Sequence, residues 1–509
     1  MDRRSDGSRH AGRAEARVVH LPSSDQRSAP YLDALRAYAQ GPNLRLNVPG
    51  HKGGVVASPS ALEIIGHDAF RIDVPPLLWG IDGGSQPTAL ERARDLAAQA
   101  WGAGRTWFLT NGASQGNVAA CLALRGLGER VVVQRSAHMS VVDGLALAGL
   151  AADFVAPSVD AALGVAHGLT PEALDAALRA RPGAVAVIAV SPSYHGAASD
   201  VRGLAEVAHR HGALLVVDEA WGAHFAFHPA LPEPALSAGA DVVVSSTHKM
   251  AGSLTQSAML HVRPDAPSDL VQLLDRALRV LRSTSESSLL LGSLDAARQH
   301  MASRGRALLD ETLDGARRLR RALEEARGAR LADEAFLADA SVVALDPLRL
   351  SLDAEPLRMT GLEAAEHLRA TSSVDVEVAG ARVITAVLAL GEDLDRLGQD
   401  LLAALARLPA GRPEGRRLAA LQAPAWSPAR ARVRDALLSP IELVPAEDAV
   451  GRISADVLAA YPPGIPNALP GEEISAELLA YFDAVLAAGG AVHGAPSPAL
   501  DRLRVLRDG

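Results

Sequence analysis

Short, unbroken runs of apolar residues alternate with amphipathic segments between residue 31 and about residue 310. Four of these runs are RVVVQ (130–134), AVAVIAV (184–190), ALLVVDEA (213–220) and DVVVSST (241–247). The segments between them have helical periodicity, as in LTPEALDAALRARPG, where Thr170 can cap a helix that Pro171 opens. Continuous apolar strands separated by helices predict an α/β fold, with a mainly parallel sheet that is covered on both faces.

The same pattern divides the chain into a large domain and smaller units. Two long amphipathic helices, at about 303–327 and 391–407, enclose the strand-like segments VVALDPL and RVITAVLAL and predict a smaller α+β domain. The predicted units are a disordered polar tail (1–29), an N-terminal arm (30–70), the large domain (71–302), the small α+β domain (303–407), a linker rich in Pro and Gly (408–430) and a C-terminal α+β domain (431–509).

Composition narrows the class of protein. The chain has 509 residues, of which 48% are apolar and 21% are charged, which is typical of a globular protein. A net charge of −9 predicts no surface for nucleic acid or acidic lipid. The single cysteine, Cys121, excludes a disulfide framework and a multi-cysteine metal site. No apolar run of about 18 residues and no apolar secretory core is present, so we expect a cytoplasmic protein outside the membrane.

Lysine is almost absent from this sequence. Of the 50 basic residues, 48 are arginine, and the only lysines are Lys52 in NVPGHKGG and Lys249 in SSTHKMAG. Arginine replaces lysine at most solvated sites, but a guanidinium cannot form a Schiff base. A lysine that is retained in a sequence with such a preference for arginine is a candidate for amine chemistry. The alternative, above all for Lys52, is that a solvated lysine was retained by chance.

Polar clusters follow the predicted strands at the point where each strand ends. TNGASQGN follows RTWFL, RSAHMSVV follows VVVQ, SPSYHG follows AVIAV, DEAWGAH follows LLVV, and SSTHKMAGSLTQS follows DVVV. Ligands of parallel sheets bind at the carboxyl ends of the strands. The sequence therefore predicts one site that contains His138, Asp218 and Lys249.

The residue types at this edge indicate a particular cofactor. The turn TNGASQGN places free N–H groups at a helix start, which favours a phosphate, although a Gly/Ser turn alone is weak evidence. Asp218 ends an apolar run, so we expect its carboxylate to be partly buried and to need a cationic or N–H partner. The alternative to a cofactor contact is a structural role, as a helix cap or in an ion pair. These are the three parts of a pyridoxal phosphate site: N–H groups that bind the phosphate, a carboxylate that pairs with the ring nitrogen, and a lysine that bonds to the aldehyde.

Longer motifs make the sequence resemble a known family. The chain is similar to the bacterial ornithine/lysine/arginine decarboxylases in their short form, without the N-terminal wing domain. The matching motifs, in order, are PGHKGG (49–54), NGASQGN (111–117), RSAHMSV (135–141), SPSYHG (191–196), VDEAWGAHF (217–225), STHKMAGSLTQSAMLH (246–261), STSESSLLLGSLDAAR (283–298), AVGRIS and YPPGIPNALPGE (461–472). The resemblance implies the three-layer fold of the aspartate aminotransferase type (fold type I) and decarboxylation of arginine, lysine or ornithine, in polyamine biosynthesis.

The resemblance also implies roles for individual residues. Lys249 would hold the cofactor aldehyde, Asp218 its ring nitrogen and His138 its ring face, and His248 or Lys249 would return a proton to the substrate. Further cofactor contacts are implied for Ala113, Ser114, Gln115, Ser193, Ala220, Ser246 and His248, with Thr284 and Ser285 reaching a neighbouring subunit's phosphate. The family therefore implies a homodimer with a shared site. His224 and His228 have the i, i+4 spacing of a metal pair, but Pro229 and the aromatic surroundings favour packing, so no metal is predicted. The net charge predicts no nucleic-acid partner.

A basic substrate calls for an acidic residue, and four are candidates: Asp82, Glu286, Glu472 and Glu473. Each is equally well explained as a solvated charge. The sequence departs from the family at Trp221 (usually His), Met139 (usually Lys), and Glu286 and Ser288 (usually Pro and Tyr). These departures leave two alternatives open, which are another fold type I reaction, such as transamination or elimination, and a non-catalytic relative.

Overall fold

A seven-stranded sheet forms the centre of the computed structural model, which describes residues 25–76, 78, 81–84, 86–326, 330–409, 421–461 and 463–507. The strand order is β1-β10-β9-β8-β6-β2-β3, in which β9, β8, β6, β2 and β3 are parallel and β10 runs antiparallel to both neighbours. This confirms the predicted mainly parallel sheet. Its strands are β1 (Arg105–Leu109), β2 (Arg130–Gln134), β3 (Ala151–Val155), β6 (Ala186–Val190), β8 (Leu214–Asp218), β9 (Val242–Ser245) and β10 (Ala258–Val262).

Helices cover both faces of this sheet. Apolar side chains of α5, α6 and α10 pack on one face, and those of α7 and α8 pack on the other. Thr170 accepts a hydrogen bond from the N–H of Ala173 and caps α7 as predicted. The bounds are α5 (Gly112–Arg125), α6 (Met139–Ala148), α7 (Pro171–Ala180), α8 (Val201–Arg210), the single turn α9 (Thr247–Met250) and α10 (Ser268–Leu281), with short strands β4 (Val159–Asp160), β5 (Val165–Ala166) and β7 (Ala197–Ala198).

The N-terminal arm packs against the start of a 38-residue helix, α11 (Ser288–Glu325). The main-chain N–H of Tyr31 donates to Asp295 at 2.9 Å, and the buried guanidinium of Arg298 donates to the carbonyls of Gln26 and Ser28. These hydrogen bonds hold residues 25–29, the end of the predicted tail, against α11. Residues 1–24 lie outside the described residues. The arm helices are α1 (Pro30–Gln40), α2 (Pro59–Ile65), α3 (His67–Ile72) and α4 (Ala89–Trp101).

Helix α11 begins 15 residues before the predicted boundary at residue 303 and continues into the small domain. There it packs with α14 against the antiparallel sheet β12-β14-β13. The elements of this domain are α12 (Asp333–Leu337), β11 (Ala344–Leu345), β12 (Arg349–Asp353), α13 (Gly361–Ser372), β13 (Val378–Ala379), β14 (Val383–Val387) and α14 (Leu394–Ala406). Strand β11 pairs with β7 of the large domain, so the two domains share a hydrogen-bonded edge.

The C-terminal domain is joined to the end of β2 by a buried ion pair. The guanidinium of Arg135 makes two hydrogen bonds to the carboxylate of Glu472, at 2.6 and 2.7 Å, and lies 4.4 Å from the centre of the Trp426 ring. The domain contains α15 (Val433–Leu438), β15 (Ile441–Pro445), β16 (Leu458–Tyr461), β17 (Pro466–Ala468), α16 (Ala476–Ala487), β18 (Ala491–His493) and β19 (Arg502–Leu506). Part of the predicted linker, residues 410–420, lies outside the described residues.

Candidate active site

A cavity of about 170 Å³ opens at the carboxyl ends of the parallel strands. It brings together Lys249, Asp218 and His138, which the sequence analysis assigned to one site. The other lining residues are Gly112, Ala113, Ser114, Asn117, Ser136, Val190, Pro192, Tyr194, Ala220, Trp221, Ser246 and His248.

Lys249 lies on α9, the single turn that follows β9. Its ε-amine is 3.9 Å from the centroid of the Trp221 ring. Burial lowers the pKa of this amine, the nearby carboxylate of Asp218 opposes the shift, and the positive charge of Arg349 adds to it. The amine is therefore biased toward the neutral form, which is the nucleophilic one.

Asp218 is the last residue of β8, and its carboxylate is almost fully buried. One carboxylate oxygen, Oδ1, accepts the main-chain N–H of Ala220 at 3.1 Å, and Oδ2 accepts the side-chain amide of Asn117 at 2.8 Å. Both donors stabilise the ionised carboxylate. An ionised carboxylate on the cavity wall can pair with a protonated ring nitrogen.

Two histidines lie on the cavity wall. His138 is the N-cap of α6, and its Nδ1 accepts the main-chain N–H of Ser140 at 3.2 Å. The Nδ1 of His248 lies 2.8 Å from the carbonyl oxygen of Ser257. A carbonyl only accepts, so Nδ1 of His248 carries a proton and Nε2 remains for a ligand.

The start of α5 has the features of a phosphate site. Asn111 makes no side-chain cap, and among the described residues the N–H groups of Ala113 and Ser114 have no hydrogen-bond acceptor. Gly112 has a φ of +71°, a conformation that favours glycine. Free N–H groups at the first turn of a 14-residue helix attract an anion. With Lys249, Asp218 and His138 on the same cavity, the residues present fit pyridoxal phosphate.

The remaining implied cofactor residues fall into four groups. Ser246 and Ala220 line the cavity, whereas Ser193 lines a neighbouring cavity. Gln115 is buried and accepts the main-chain N–H of Asn111, so its side chain supports the turn. Thr284 and Ser285 are exposed and lie outside this chain's cavity.

Three of the four acidic candidates for substrate binding have side-chain partners in this chain. Glu472 is paired with Arg135, and Glu473 is paired with Arg430 at 2.9 Å. Glu286 accepts the hydroxyl of Thr110 at 3.2 Å. Burial raises the pKa of Asp82 to about 6, and the guanidinium of Arg94 opposes this shift.

Three residues around the cavity were not singled out from the sequence. Asn117 contacts Asp218, Arg349 lies 3.7 Å from the Trp221 ring, and the carboxylate of Glu377 is close enough to Lys249 to favour its protonated form. One of them could have been noticed in the sequence: Asn117 is a poor helix former that lies within a helix of small residues.

The histidine pair His224 and His228, which the sequence analysis interpreted as packing rather than metal binding, has carboxylate partners. His224 contacts the buried Asp346, and His228 contacts Asp310 at 2.8 Å. Within the described part of the chain, no cluster of three or more His, Cys, Asp or Glu side chains is arranged to hold a metal ion. The helices in that part of the chain are all too short or too polar to cross a membrane.

The sequence matches one protein family over most of its length. Residues 29–349 match the profile of the "Orn/Lys/Arg decarboxylase, major domain", and residues 415–494 match that of the "Orn/Lys/Arg decarboxylase, C-terminal domain". The chain is 33% identical to the arginine decarboxylase of Bacillus subtilis and 34% identical to that of Halalkalibacterium halodurans. Each match covers 95% of this chain and 99% of the relative.

Solved structures of lysine decarboxylases have the same fold. The constitutive lysine decarboxylase of Escherichia coli matches with a TM-score of 0.79 at 19% identity, over 95% of this chain and 82% of that one. Lysine decarboxylase A of Pseudomonas aeruginosa matches with a TM-score of 0.78 at 21% identity, over 94% and 80%. These structures support the predicted fold class.

Proposed function

This chain belongs to the Orn/Lys/Arg decarboxylase family, and we propose that arginine is the basic amino acid that it decarboxylates. It is an amino-acid decarboxylase, as the family membership predicted. The choice of arginine is supported by the two Bacillaceae relatives, which match nearly the whole chain and are both arginine decarboxylases. The observation that carries the catalytic proposal is one cavity containing Lys249, Asp218 and His138.

Pyridoxal phosphate would be held by residues at four strand ends. Lys249 would hold its aldehyde carbon, Asp218 its ring nitrogen and His138 one face of its ring. The free N–H groups of Ala113 and Ser114 would bind its phosphate. When bound, the cofactor supplies a protonated ring that accepts the electron pair released as the carboxylate leaves.

The residues of this chain supply orientation and protons. Asp218 has the charge to keep the ring nitrogen protonated, because Asn117 and Ala220 stabilise its ionised form. Lys249 and His248 share the cavity wall, so either can deliver a proton to the α-carbon after carbon dioxide leaves. The indole of Trp221 covers the ε-amine and limits its contact with water.

The substrate side chain has a matching space beside the cofactor cavity. A second cavity of about 170 Å³ shares Ser136, Val190 and Tyr194 with the first and is bounded by β13 and by Tyr461. Its mainly apolar wall suits the methylene chain of arginine, and its neutral hydroxyl and imidazole groups can accept guanidinium hydrogens. Glu377, which adjoins β13, would supply the negative charge.

The N-terminal arm supports the proposed homodimer. Leu44, Leu46, Val55 and Ile64 are each more than four-fifths exposed in the single chain. Large apolar side chains clustered on one segment are typical of a surface that another chain covers. A second copy would bring its own exposed Thr284 and Ser285 segment toward the neighbouring site, as the shared-site hypothesis requires.

The decisive experiment is incubation of the purified protein and pyridoxal phosphate with arginine, lysine or ornithine, with measurement of carbon dioxide and of each amine. We expect the highest kcat/KM with arginine and no product from Lys249→Arg. Preferred release from lysine or ornithine would reject the arginine assignment. Consumption of the amino acid without release of carbon dioxide, or a keto-acid product, would reject decarboxylation itself.

A further inference from the structure

The side-chain amide of Asn117 lies between the two residues that would contact the cofactor ring. Its Nδ2 atom donates one hydrogen to Oδ2 of Asp218 at 2.8 Å and the other to Oγ of Ser140 at 3.0 Å. Asn117 is 3% exposed, so water does not compete for these hydrogens. One amide hydrogen is therefore bound by Asp218 on the cavity wall, and the other by Ser140 behind it.

The chemistry of the partners fixes the direction of these bonds. An ionised carboxylate only accepts, so the nitrogen of the Asn117 amide must face Asp218. Ser140 continues the connection, because its main-chain N–H donates to Nδ1 of His138 at 3.2 Å and its hydroxyl lies 2.8 Å from the same atom. A ring nitrogen that accepts an N–H carries no proton, so the proton of His138 lies on Nε2.

We propose that Asn117 is a positioning residue that aligns the Asp218 carboxylate with the ring nitrogen of the cofactor, and that it orients His138 through Ser140. The inference rests on the proposed function, because it concerns the same bound cofactor. Without Asn117, the buried carboxylate would retain only the Ala220 N–H among the protein donors described for it. A carboxylate held by one donor instead of two can turn away from the ring nitrogen, which then loses the acceptor that holds its proton.

Three variants separate this role from general packing. Asn117→Ala removes the bonds to Asp218 and Ser140. Ser140→Ala removes the Asn117–Ser140 bond and the hydroxyl contact with His138, but it keeps the Asn117–Asp218 bond and the main-chain N–H that donates to His138. Cys121→Ala is the matched control, because Cys121 is fully buried one turn further along α5 and its described hydrogen bond is to the Val141 carbonyl at 3.9 Å. All three substitutions remove a small buried side chain from the same region.

The test measures the protonation of the ring nitrogen directly. Each variant is loaded with pyridoxal phosphate labelled with ¹⁵N in the ring, and the ¹⁵N chemical shift is compared with that of the parent. We expect the protonated-ring shift in the parent, Ser140→Ala and Cys121→Ala, and a shift toward the unprotonated ring in Asn117→Ala. The kcat of Asn117→Ala should fall by at least about tenfold, with a smaller change in KM.

A parent-like ¹⁵N shift in Asn117→Ala would overturn the proposal, as would an equal loss of ring protonation in Cys121→Ala. Should Asn117→Ala not fold, the same comparison is made with Asn117→Ser, whose shorter side chain cannot reach both partners. Failure of the parent to release carbon dioxide from any basic amino acid would instead reject the proposed function. The ¹⁵N comparison would then still decide the role of Asn117.

Discussion

The guanidinium carbon of Arg349 lies 3.7 Å from the centroid of the Trp221 indole ring. The ε-amine of Lys249 contacts the same ring at 3.9 Å. The guanidinium of Arg349 is buried and has no hydrogen-bond partner among the described residues, and burial lowers its pKa to about 10. Two cations on one aromatic ring repel each other, and the repulsion favours the neutral amine of Lys249.

Replacement of Arg349 by methionine should therefore move Lys249 toward its protonated form. Loss of the nearby positive charge raises the pKa of the amine, so the neutral fraction at a given pH falls. The rate at which the apoenzyme binds pyridoxal phosphate can be followed by absorbance from pH 6 to pH 10. In Arg349→Met, this rate should begin to rise at a more alkaline pH than in the parent. An unshifted profile in Arg349→Met would contradict this electrostatic role.

The two lysines provide a direct test of the cofactor attachment. The purified protein should be yellow, and borohydride should bleach this colour and leave a stable pyridoxyl group on Lys249, identified by peptide mass spectrometry. Lys249→Arg keeps the charge but should lose the colour, because a guanidinium cannot bind the aldehyde. Lys52→Arg is the matched control and should remain yellow. A pyridoxyl group on Lys52 would refute the assignment of the site.

Neutralisation of Asp218 should weaken catalysis while leaving the fold intact. In Asp218→Asn the ring nitrogen loses its charged partner, and a charged hydrogen bond of this kind contributes roughly 1.5–3 kcal/mol. We expect turnover to fall by at least about tenfold at saturating substrate. The neighbouring Glu219 is the control, since burial raises its pKa to about 8 and Glu219→Gln preserves the protonated form that prevails at neutral pH. Equal losses in the two variants would mean that Asp218 has only a structural role.

Glu219 should also make the stability of the fold depend on pH. Its carboxyl has a pKa of about 8 in the folded chain and about 4.5 when unfolded, so the folded state binds more protons between these values. The folded state therefore loses stability as pH rises from about 4.5 to about 8. The thermal midpoint of the parent should fall more from pH 5 to pH 8 than that of Glu219→Gln, and parallel declines would rule out this contribution.

Subunit complementation tests whether neighbouring chains share a site. Ser287 caps α11, so neither Thr284 nor Ser285 is the N-cap of that helix. Chains carrying Lys249→Ala should be mixed with chains carrying Thr284→Ala and Ser285→Ala, under conditions that permit exchange. A shared site regains part of the decarboxylase activity, because one of the two sites in each heterodimer is unmutated. Self-mixed Lys249→Ala is the control, and no recovery after demonstrated exchange would assign a complete site to each chain.

The sheet and its catalytic edge could be predicted because they depend on local patterns. β-branched runs ended at polar clusters, and the topology of a parallel sheet brings those ends together. The small-domain boundary could not be found this way, since α11 continues through residue 303 with unbroken helical periodicity. The pairing of Glu472 with Arg135 also lay beyond sequence reasoning, because the two residues are 337 positions apart and no local pattern connects them.

The ion pair between Arg135 and Glu472 limits how this enzyme can be divided or recombined. Arg135 lies three residues before His138, so the loop that carries His138, which we propose contacts the cofactor ring, is anchored on a carboxylate of the C-terminal domain. Removal of that domain would leave a buried guanidinium without its acid, beside the cofactor cavity. A chimaera that exchanges the C-terminal domain must therefore carry over an acidic residue at position 472, and a shortened catalytic fragment would need a new partner for Arg135.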